Sequence, residues 1–318
     1  MSMQRTRFTS RNPAAERRAE FAETLKALGD HTGAIEAMTA ALELDADWPA
    51  GWYRLGDLQA EAANPTAAAN AFQKALSLDP DDSLGARARM ELVTGERVAE
   101  TLPPAFVEAL FDQYAPRFDA ALTEKLGYRG PEILMRALSH TGFAHAARAL
   151  DLGCGTGLMG EALRARCTVL EGVDLSAGML ERARRRGLYD RLEKADIAAI
   201  PLAEPAYDLI VAADVFAYLG ALDGVLAWAA GSLAPGGRLA FTVETGAGPG
   251  YTLQPSRRYA HGRAYLETLL AQAGLRAVSI APCVVRRDRG ADIDSFVVTA
   301  ARPPAPRALE GGEEAALA

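Results

Sequence analysis

The chain is short of the residues that most often carry reactive chemistry, with 3 cysteines, 4 histidines and only four lysines among its 34 basic residues. Cys154, Cys167 and Cys283 lie far apart and are odd in number, so they supply no complete disulfide framework and fit a reducing, cytoplasmic setting. His140 and His145 stand off a shared helical face and no cysteine pair has ligand spacing, which leaves no donor set for a metal. A catalytic thiolate would need a neighbouring histidine that the sequence does not offer, so Cys154 reads as a small residue. Long apolar runs are missing as well. None approaches the ~20 residues that span a bilayer, and the arginine-bearing start lacks the apolar core of a secretory signal. A net charge of -7 over 318 residues gives no field to attract a phosphate backbone, so neither nucleic acid nor membrane is expected as a partner.

What is present is apolar content of 49%, enough to bury a core in a chain long enough for about two domains. The first hundred residues repeat with a period of 34: Ala34, Met38, Ala41, Leu44 and Asp45 recur as Ala68, Phe72, Ala75, Leu78 and Asp79. Small residues at such spacing let antiparallel helices approach, large ones fill the groove between them, and Pro80 stops the second helix. The second copy, from Trp52 and Tyr53 through Leu55 and Gly56 to Pro80, resembles the tetratricopeptide repeat. The first copy is degenerate, with Phe21, Ala22 and Ala46 at the positions of Leu55, Gly56 and Pro80. Two repeats are fewer than a stack normally needs, so a capping helix is expected near residues 83–92. The resemblance implies a surface for a protein partner or a second copy of the chain, or else a helical appendage packed on the next domain.

From Ala149 an apolar strand runs through Asp151 into a glycine loop, Gly153-Cys154-Gly155-Thr156-Gly157, and then a helix. Glycines there permit positive φ and remove the Cβ atoms that would keep a ligand from the backbone. The spacing G-x-G-x-G differs from the dinucleotide pattern G-x-G-x-x-G, and a carboxylate at the strand end suits an ammonium better than a pyrophosphate. A second strand follows, ending in Asp174 with a capped helix after it. Then come a short segment ending in Asp196, a buried strand from Tyr207 to Asp214, and a Pro-Gly-Gly turn leading into a further strand. These landmarks in this order resemble the class I S-adenosylmethionine-dependent methyltransferases. The implied fold is a doubly wound, Rossmann-like α/β sheet of seven strands whose last strand, near Ile293 to Ala300, is antiparallel. The expected organisation is a disordered start (1–14), an all-α repeat domain (15–95), lid and linker helices (96–147), the methyltransferase domain (148–302) and a disordered tail (303–318).

The resemblance also implies roles for the cofactor, S-adenosylmethionine, and its product S-adenosylhomocysteine. Gly153 and Gly155 would pass the methionyl portion, with Cys154 and Gly157 in the same cofactor-binding loop and Asp151 receiving the ammonium directly or through water. Asp174 would accept the ribose hydroxyls, Leu175 and Met179 would cover the adenine, Asp196 and Ile197 would read its edge, and Asp214 would add a strand-end carboxylate. Upstream, Tyr114-Ala115-Pro116-Arg117-Phe118-Asp119 resembles the lid of small-molecule methyltransferases such as those of ubiquinone biosynthesis and the methyltransferase-like 27 group. Tyr114 would cover the cofactor and Arg117 would pair its carboxylate, although Phe111, Tyr114 and Phe118 also form an ordinary amphipathic stripe. The stretch from Glu244 to His261 reads as a loop leading to the acceptor, with Arg258 and Tyr259 orienting an anionic group and His261 as general base. Arg286, Arg287 and Arg289 read as a solvated loop. Asp214-Val215-Phe216-Ala217 lacks the Pro-Pro-aromatic run of amide and exocyclic-amine methyltransferases. The expected function is methyl transfer to a small molecule, with the repeats docking a partner or dimerising. The alternatives are a protein methyltransferase that holds its polypeptide on the repeats, and a cofactor-binding scaffold without turnover.

Overall fold

The computed structural model describes residues 8–201 and 206–305. Among the described residues, five helices form the N-terminal part: α1 (Pro13–Ala27), α2 (His31–Leu44), α3 (Pro49–Glu61), α4 (Pro65–Leu78) and α5 (Ala86–Thr94). Proline at the first turn of α1, α3 and α4 fits the positions whose N–H has no intrahelical partner. Asn12 caps α1 and Asp30 caps α2 through backbone N–H groups of Ala14 and Gly33. Ala15, Ala19 and Ala22 bury against Ala34, Met38 and Ala41, so the first pair of helices packs closely. In the second pair a Cβ on Gly56 would fall 2.5 Å from the Phe72 ring, so only glycine admits that side chain. α1 begins inside the stretch expected to be disordered, where Ser10 Oγ also reaches Asp45 at 2.5 Å; residues 1–7 and, at the other end, 306–318 lie outside the described residues.

A linker leads to α6 (Pro104–Tyr114), broken helical turns over residues 115–125, and α7 (Gly130–His140). The sheet then follows: β1 (Ala146–Leu152), α8 (Leu158–Leu163), β2 (Cys167–Asp174), α9 (Ala177–Arg186), β3 (Arg191–Lys194), β4 (Tyr207–Ala212), α10 (Asp223–Ser232), β5 (Leu233–Gly246), β6 (Tyr251–Leu253), β7 (Tyr259–Gly262), α11 (Arg263–Gln272), β8 (Arg276–Asp288) and β9 (Ala291–Ala301). Leu150 and Leu152 of β1 point to the face covered by α10 and α11, while Ala149 points to the face covered by α7 and α8. That period of two buries the sheet on both sides.

Strand order is β3-β2-β1-β4-β5 with parallel pairing, and β9 runs antiparallel against β5 with β8 outside it. The doubly wound core and the antiparallel last strand are those the sequence implies, but among the described residues the sheet has 9 strands, against the seven the resemblance implies. The two additional strands, β6 and β7, arise in the stretch that the sequence reads as a loop. β5 is long enough to fork: from Arg238 to Glu244 it pairs with β9, and from Glu244 to Gly246 it pairs with β7. The sequence Gly248-Pro249-Gly250 hides the hairpin, because its strands are only three and four residues long and no apolar alternation marks them.

Candidate active site

The carboxyl ends of β1, β2 and β4 open onto a cavity of about 390 Å³, roofed by α6 and the broken helical turns. Its floor is the glycine loop. Gly153 and Gly155 adopt φ of 64° and 54°, and a Cβ on Gly153 would strike Val215 at 2.5 Å. The loop is held by Cys154 N donating to Val173 O at 2.9 Å and by Gly155 N donating to Asp174 Oδ2 at 2.8 Å. The other Asp174 oxygen accepts from Ser176 N at 2.8 Å. Ser176, not Asp174, caps α9, accepting from Met179 N. Burial raises the Asp174 pKa above the usual carboxylate value, against the pull of these N–H groups.

Leu175, Met179, Asp196 and Ile197 all line this end of the cavity, as does Cys154, whose thiol burial pushes well above its ordinary pKa. Asp196 also closes a turn by accepting from Ala198 N, so its lining position and its turn role coexist. Gly157 does not face the cavity; a Cβ there would meet Arg186 and Tyr189 at 3.2 Å, so its left-handed φ of 98° serves the packing of α8. Asp151 lies behind the loop, 1% exposed, and direct contact with a ligand is therefore corrected to a buried position. Its Oδ2 accepts from the Tyr189 hydroxyl at 2.7 Å, while Oδ1 has no hydrogen-bond partner among the described residues. Burial pushes its pKa up to about 7. Tyr189 was not singled out in the sequence; no motif marks a tyrosine beyond the helix that follows β2.

The helical roof is tied to the glycine-loop end by two carboxylates. Asp112 accepts from Ser176 Oγ at 2.5 Å and from Gly178 N at 3.0 Å, and Asp119 accepts from Thr156 Oγ1 at 2.5 Å and Arg186 Nη2 at 2.8 Å. Phe111, Tyr114 and Phe118 line the cavity, so the amphipathic stripe and the lid face are one surface. Phe111 sits edge-on to both Phe118 and Tyr218. Tyr114 remains 53% exposed at the rim. Arg117 is exposed and outside the lining, which corrects its assignment to the ligand.

At the opposite end the turn between β6 and β7 brings in Arg258, buried and lining the cavity. Its Nε donates to Glu244 at 2.5 Å, its Nη1 to the Tyr218 hydroxyl at 2.6 Å, and its Nη2 to Asp214. Arg286 completes the cluster, 2.9 Å from Glu244 and 3.5 Å from Asp214. Burial works against the Arg258 charge, but Asp214, Tyr218 and Glu244 hold its pKa above the ordinary value. Asp214 thus lines the cavity as a partner of arginines, with φ of 60°, and is not a free carboxylate for a cationic ligand. The sequence reads Arg286 as solvated surface, but β8 continues far enough to bury it, while Arg287 stays exposed against Asp292. Tyr128, above its usual pKa through burial, also lines this end.

Two residues expected here stand elsewhere. His261 is fully buried in β7, its Nε2 donating to Leu219 O at 2.9 Å and Gly220 O at 3.1 Å, and it does not line the cavity. Burial lowers its pKa to about 4, so the ring is a neutral strut and not a general base. Tyr259 is buried beside Leu102, Phe106 and Leu253, and its hydroxyl donates to Ala99 O at 3.2 Å, tying the linker to β7. Alternation along β7 explains both: only the residue at the turn, Arg258, reaches the cavity.

Residues 150–241 match the methyltransferase domain family, and residues 15–47 and 49–82 match tetratricopeptide repeat families. Human methyltransferase-like protein 27 is 41% identical over 98 residues, 30% of this chain and 40% of the relative. Malonyl-[acyl-carrier protein] O-methyltransferase of Enterobacter lignolyticus is 36% identical over 137 residues, 43% of this chain and 53% of the relative. Trans-aconitate 2-methyltransferase of Methylobacterium nodulans is 40% identical over 123 residues, 38% of this chain and 45% of the relative. The chain spans about half the length of these relatives or less. The solved structure of the [4+2]-cyclase SpnF superposes with a TM-score of 0.52 at 19% identity, over 62% of this chain and 95% of that one, and shares the fold. Residues 150–241, which carry the glycine loop and the strand-end Asp174, are thus similar to the methyltransferase domain family, and the helices before them to tetratricopeptide repeats.

Proposed function

We propose that the chain transfers a methyl group from S-adenosylmethionine to a small-molecule acceptor. The observation that carries this reading is one lid-covered cavity with a bare glycine-loop backbone and a strand-end carboxylate at one end and a buried polar cluster at the other. The residues fit the cofactor. Gly153 and Gly155 leave the backbone open to the methionyl portion. A carboxylate has about four lone-pair directions, so Asp174 keeps capacity for a ribose diol beyond its two backbone N–H partners. The unpartnered Asp151 Oδ1 is an acceptor that an ammonium would reach through a water. Leu175, Met179 and Ile197 offer apolar surface to an adenine, with Asp196 at its edge.

The bound sulfonium supplies a methyl group that is already activated. The protein's tasks are then alignment of the acceptor and exclusion of water. Phe111, Tyr114 and Phe118 exclude water from above. Arg258 and Arg286 orient the acceptor's polar group, and because Asp214 and Glu244 already balance both charges, the cluster suits a polar or singly charged head better than a polyanion. The relative named for malonyl-[acyl-carrier protein] supports a head with a single carboxylate, whereas the one named for trans-aconitate, a tricarboxylate, does not. Of the repeats, the part of α3 that carries Tyr53 is met by the chain's own β6–β7 turn, leaving other surface for a partner or a second copy.

The test is incubation with methyl-labelled S-adenosylmethionine and a cell lysate, afterwards separated into small-molecule, protein and RNA fractions. Label in the small-molecule fraction is expected. Label in protein that survives thioester cleavage would instead make the repeats a holder of polypeptide, and label in no fraction, with S-adenosylhomocysteine still bound, would make the domain a scaffold.

A further inference from the structure

The repeat domain touches the catalytic domain where the acceptor end of the cavity is made. The turn of residues 254–258 closes with Gln254 N donating to Arg258 O and Arg257 N donating to Gln254 O, both at 2.8 Å. Within it Arg257 adopts φ of 59°, a left-handed conformation that a residue with a Cβ takes only when its surroundings hold it there. Two groups hold it. Arg257 Nη1 donates to the Tyr53 hydroxyl of α3 at 3.2 Å, and its guanidinium lies over the Phe106 ring of α6, 5.1 Å from the centroid. Tyr53 is itself fixed edge-on against Phe72 with ring centroids 5.4 Å apart. Phe106 lies in the first turn of α6, the helix that puts Val107, Leu110 and Phe111 into the cavity wall. The residue after Arg257 is Arg258, which carries the polar cluster.

We infer that Tyr53 and Arg257 are positioning residues through which the repeats hold the acceptor end of the cavity: α3 fixes the left-handed Arg257, and Arg257 aims Arg258 at Asp214 and Glu244. This rests on the proposed reading of that end as the acceptor site. The repeats are then a wall support of the catalytic domain, and deleting them would not isolate a docking function. It would uncover Leu102, Phe106 and Tyr259, which bury together with Ala88 of α5.

The experiment uses the full-length chain with Tyr53→Phe, which removes only the accepting hydroxyl, and Arg257→Gly, which suits the backbone but removes both anchors. Three quantities are measured: amide hydrogen exchange of the turn, the affinity for S-adenosylhomocysteine, and label transfer into a lysate's small-molecule fraction as a function of its dilution. Losing one such hydrogen bond should speed turn exchange and raise the half-saturating amount of extract by about 3- to 10-fold. Affinity for S-adenosylhomocysteine and exchange in β1 and β2 should stay unchanged. Turn exchange equal to that of the parent in both variants would overturn the inference, as would an equal loss of S-adenosylhomocysteine affinity, which marks general loosening. If the parent labels no small molecule, the proposed function fails, and turn exchange alone still decides whether Tyr53 positions Arg258.

Discussion

The two ends of the cavity are built differently. The glycine-loop end is made of backbone: left-handed glycines, N–H groups tied to Asp174, and a helix capped by Ser176, all within one β-loop-α-β stretch of chain. The other end is made of side chains from distant places, with Tyr218 after β4, Glu244 on β5, Arg258 on the hairpin turn and Arg286 on β8. A backbone-built site depends on local conformation, which a short motif specifies. A side-chain-built site depends on which strands become neighbours, so substitutions at the two ends should separate cofactor binding from acceptor turnover.

Asp174→Ala gives the largest effect at the first end. It removes the anchor of Gly155 in the loop, that of Ser176 at the start of α9 and the proposed ribose contacts, so calorimetry should show S-adenosylhomocysteine binding at least ~100-fold weaker. Parental affinity would dismiss the site. Arg258→Ala acts at the second end, leaving Asp214 and Glu244 with Arg286 alone. Label transfer to the small-molecule fraction should fall by about 100-fold while S-adenosylhomocysteine affinity holds, and denaturant unfolding should register a loss of about 3–5 kcal/mol. Equal losses at both ends would collapse the distinction.

A smaller effect comes from Asp151. Its pKa of about 7 means that the carboxyl becomes an anion, and so a partner for an ammonium, only as pH rises through neutrality. S-adenosylhomocysteine binding measured from pH 6 to 8 should therefore strengthen, by up to ~10-fold per unit below the pKa, and Asp151→Asn should flatten that slope. Stability runs the other way. The folded carboxyl keeps its proton up to about 7 and the unfolded one only to 3.8, so the ligand-free protein loses stability across that window as pH rises. Asp151→Asn should melt higher than the parent at pH 8. The smallest effect is expected of His261→Gln, which can still donate to Leu219 and Gly220. Label transfer should change less than ~3-fold, whereas a general base would forfeit 100-fold or more. The folded ring resists protonation until about 4 and the unfolded one only until 6.5, so native stability is lost as pH falls through that interval. The glutamine variant should lose less.

The same division explains which parts of the fold and site are legible in the sequence. Asp151, the glycines and Asp174 are contiguous with the strands that carry them, so their spacing already describes the loop. The repeats were legible for a related reason: Gly56 must be small because Phe72, sixteen residues on, lies against it. Glu244 and Arg286 carried no such signal. Each sits in a run that reads as strand or loop, and they meet only because β9 inserts between β5 and β8. His261 misled because a lone histidine after a basic turn looks accessible in sequence, while the short pairing of β7 with β5 turns it inward. A clue was available in the charges, since Glu244 ends a buried strand and a buried carboxylate requires a cationic partner.

The fork in β5 makes the hairpin an exchangeable part. A replacement could be grafted after Gly246 without disturbing any strand that shapes the glycine loop, so acceptor preference can diverge among descendants of such a chain while nucleoside recognition stays put. Glu244 sets the condition on that freedom. It sits at the branch point, opposite Ser295 on one side and Ala260 on the other, with its carboxylate shared by Arg258 and Arg286. Any hairpin transplanted there must bring its own cation at the position of Arg258, or inherit a glutamine in place of Glu244.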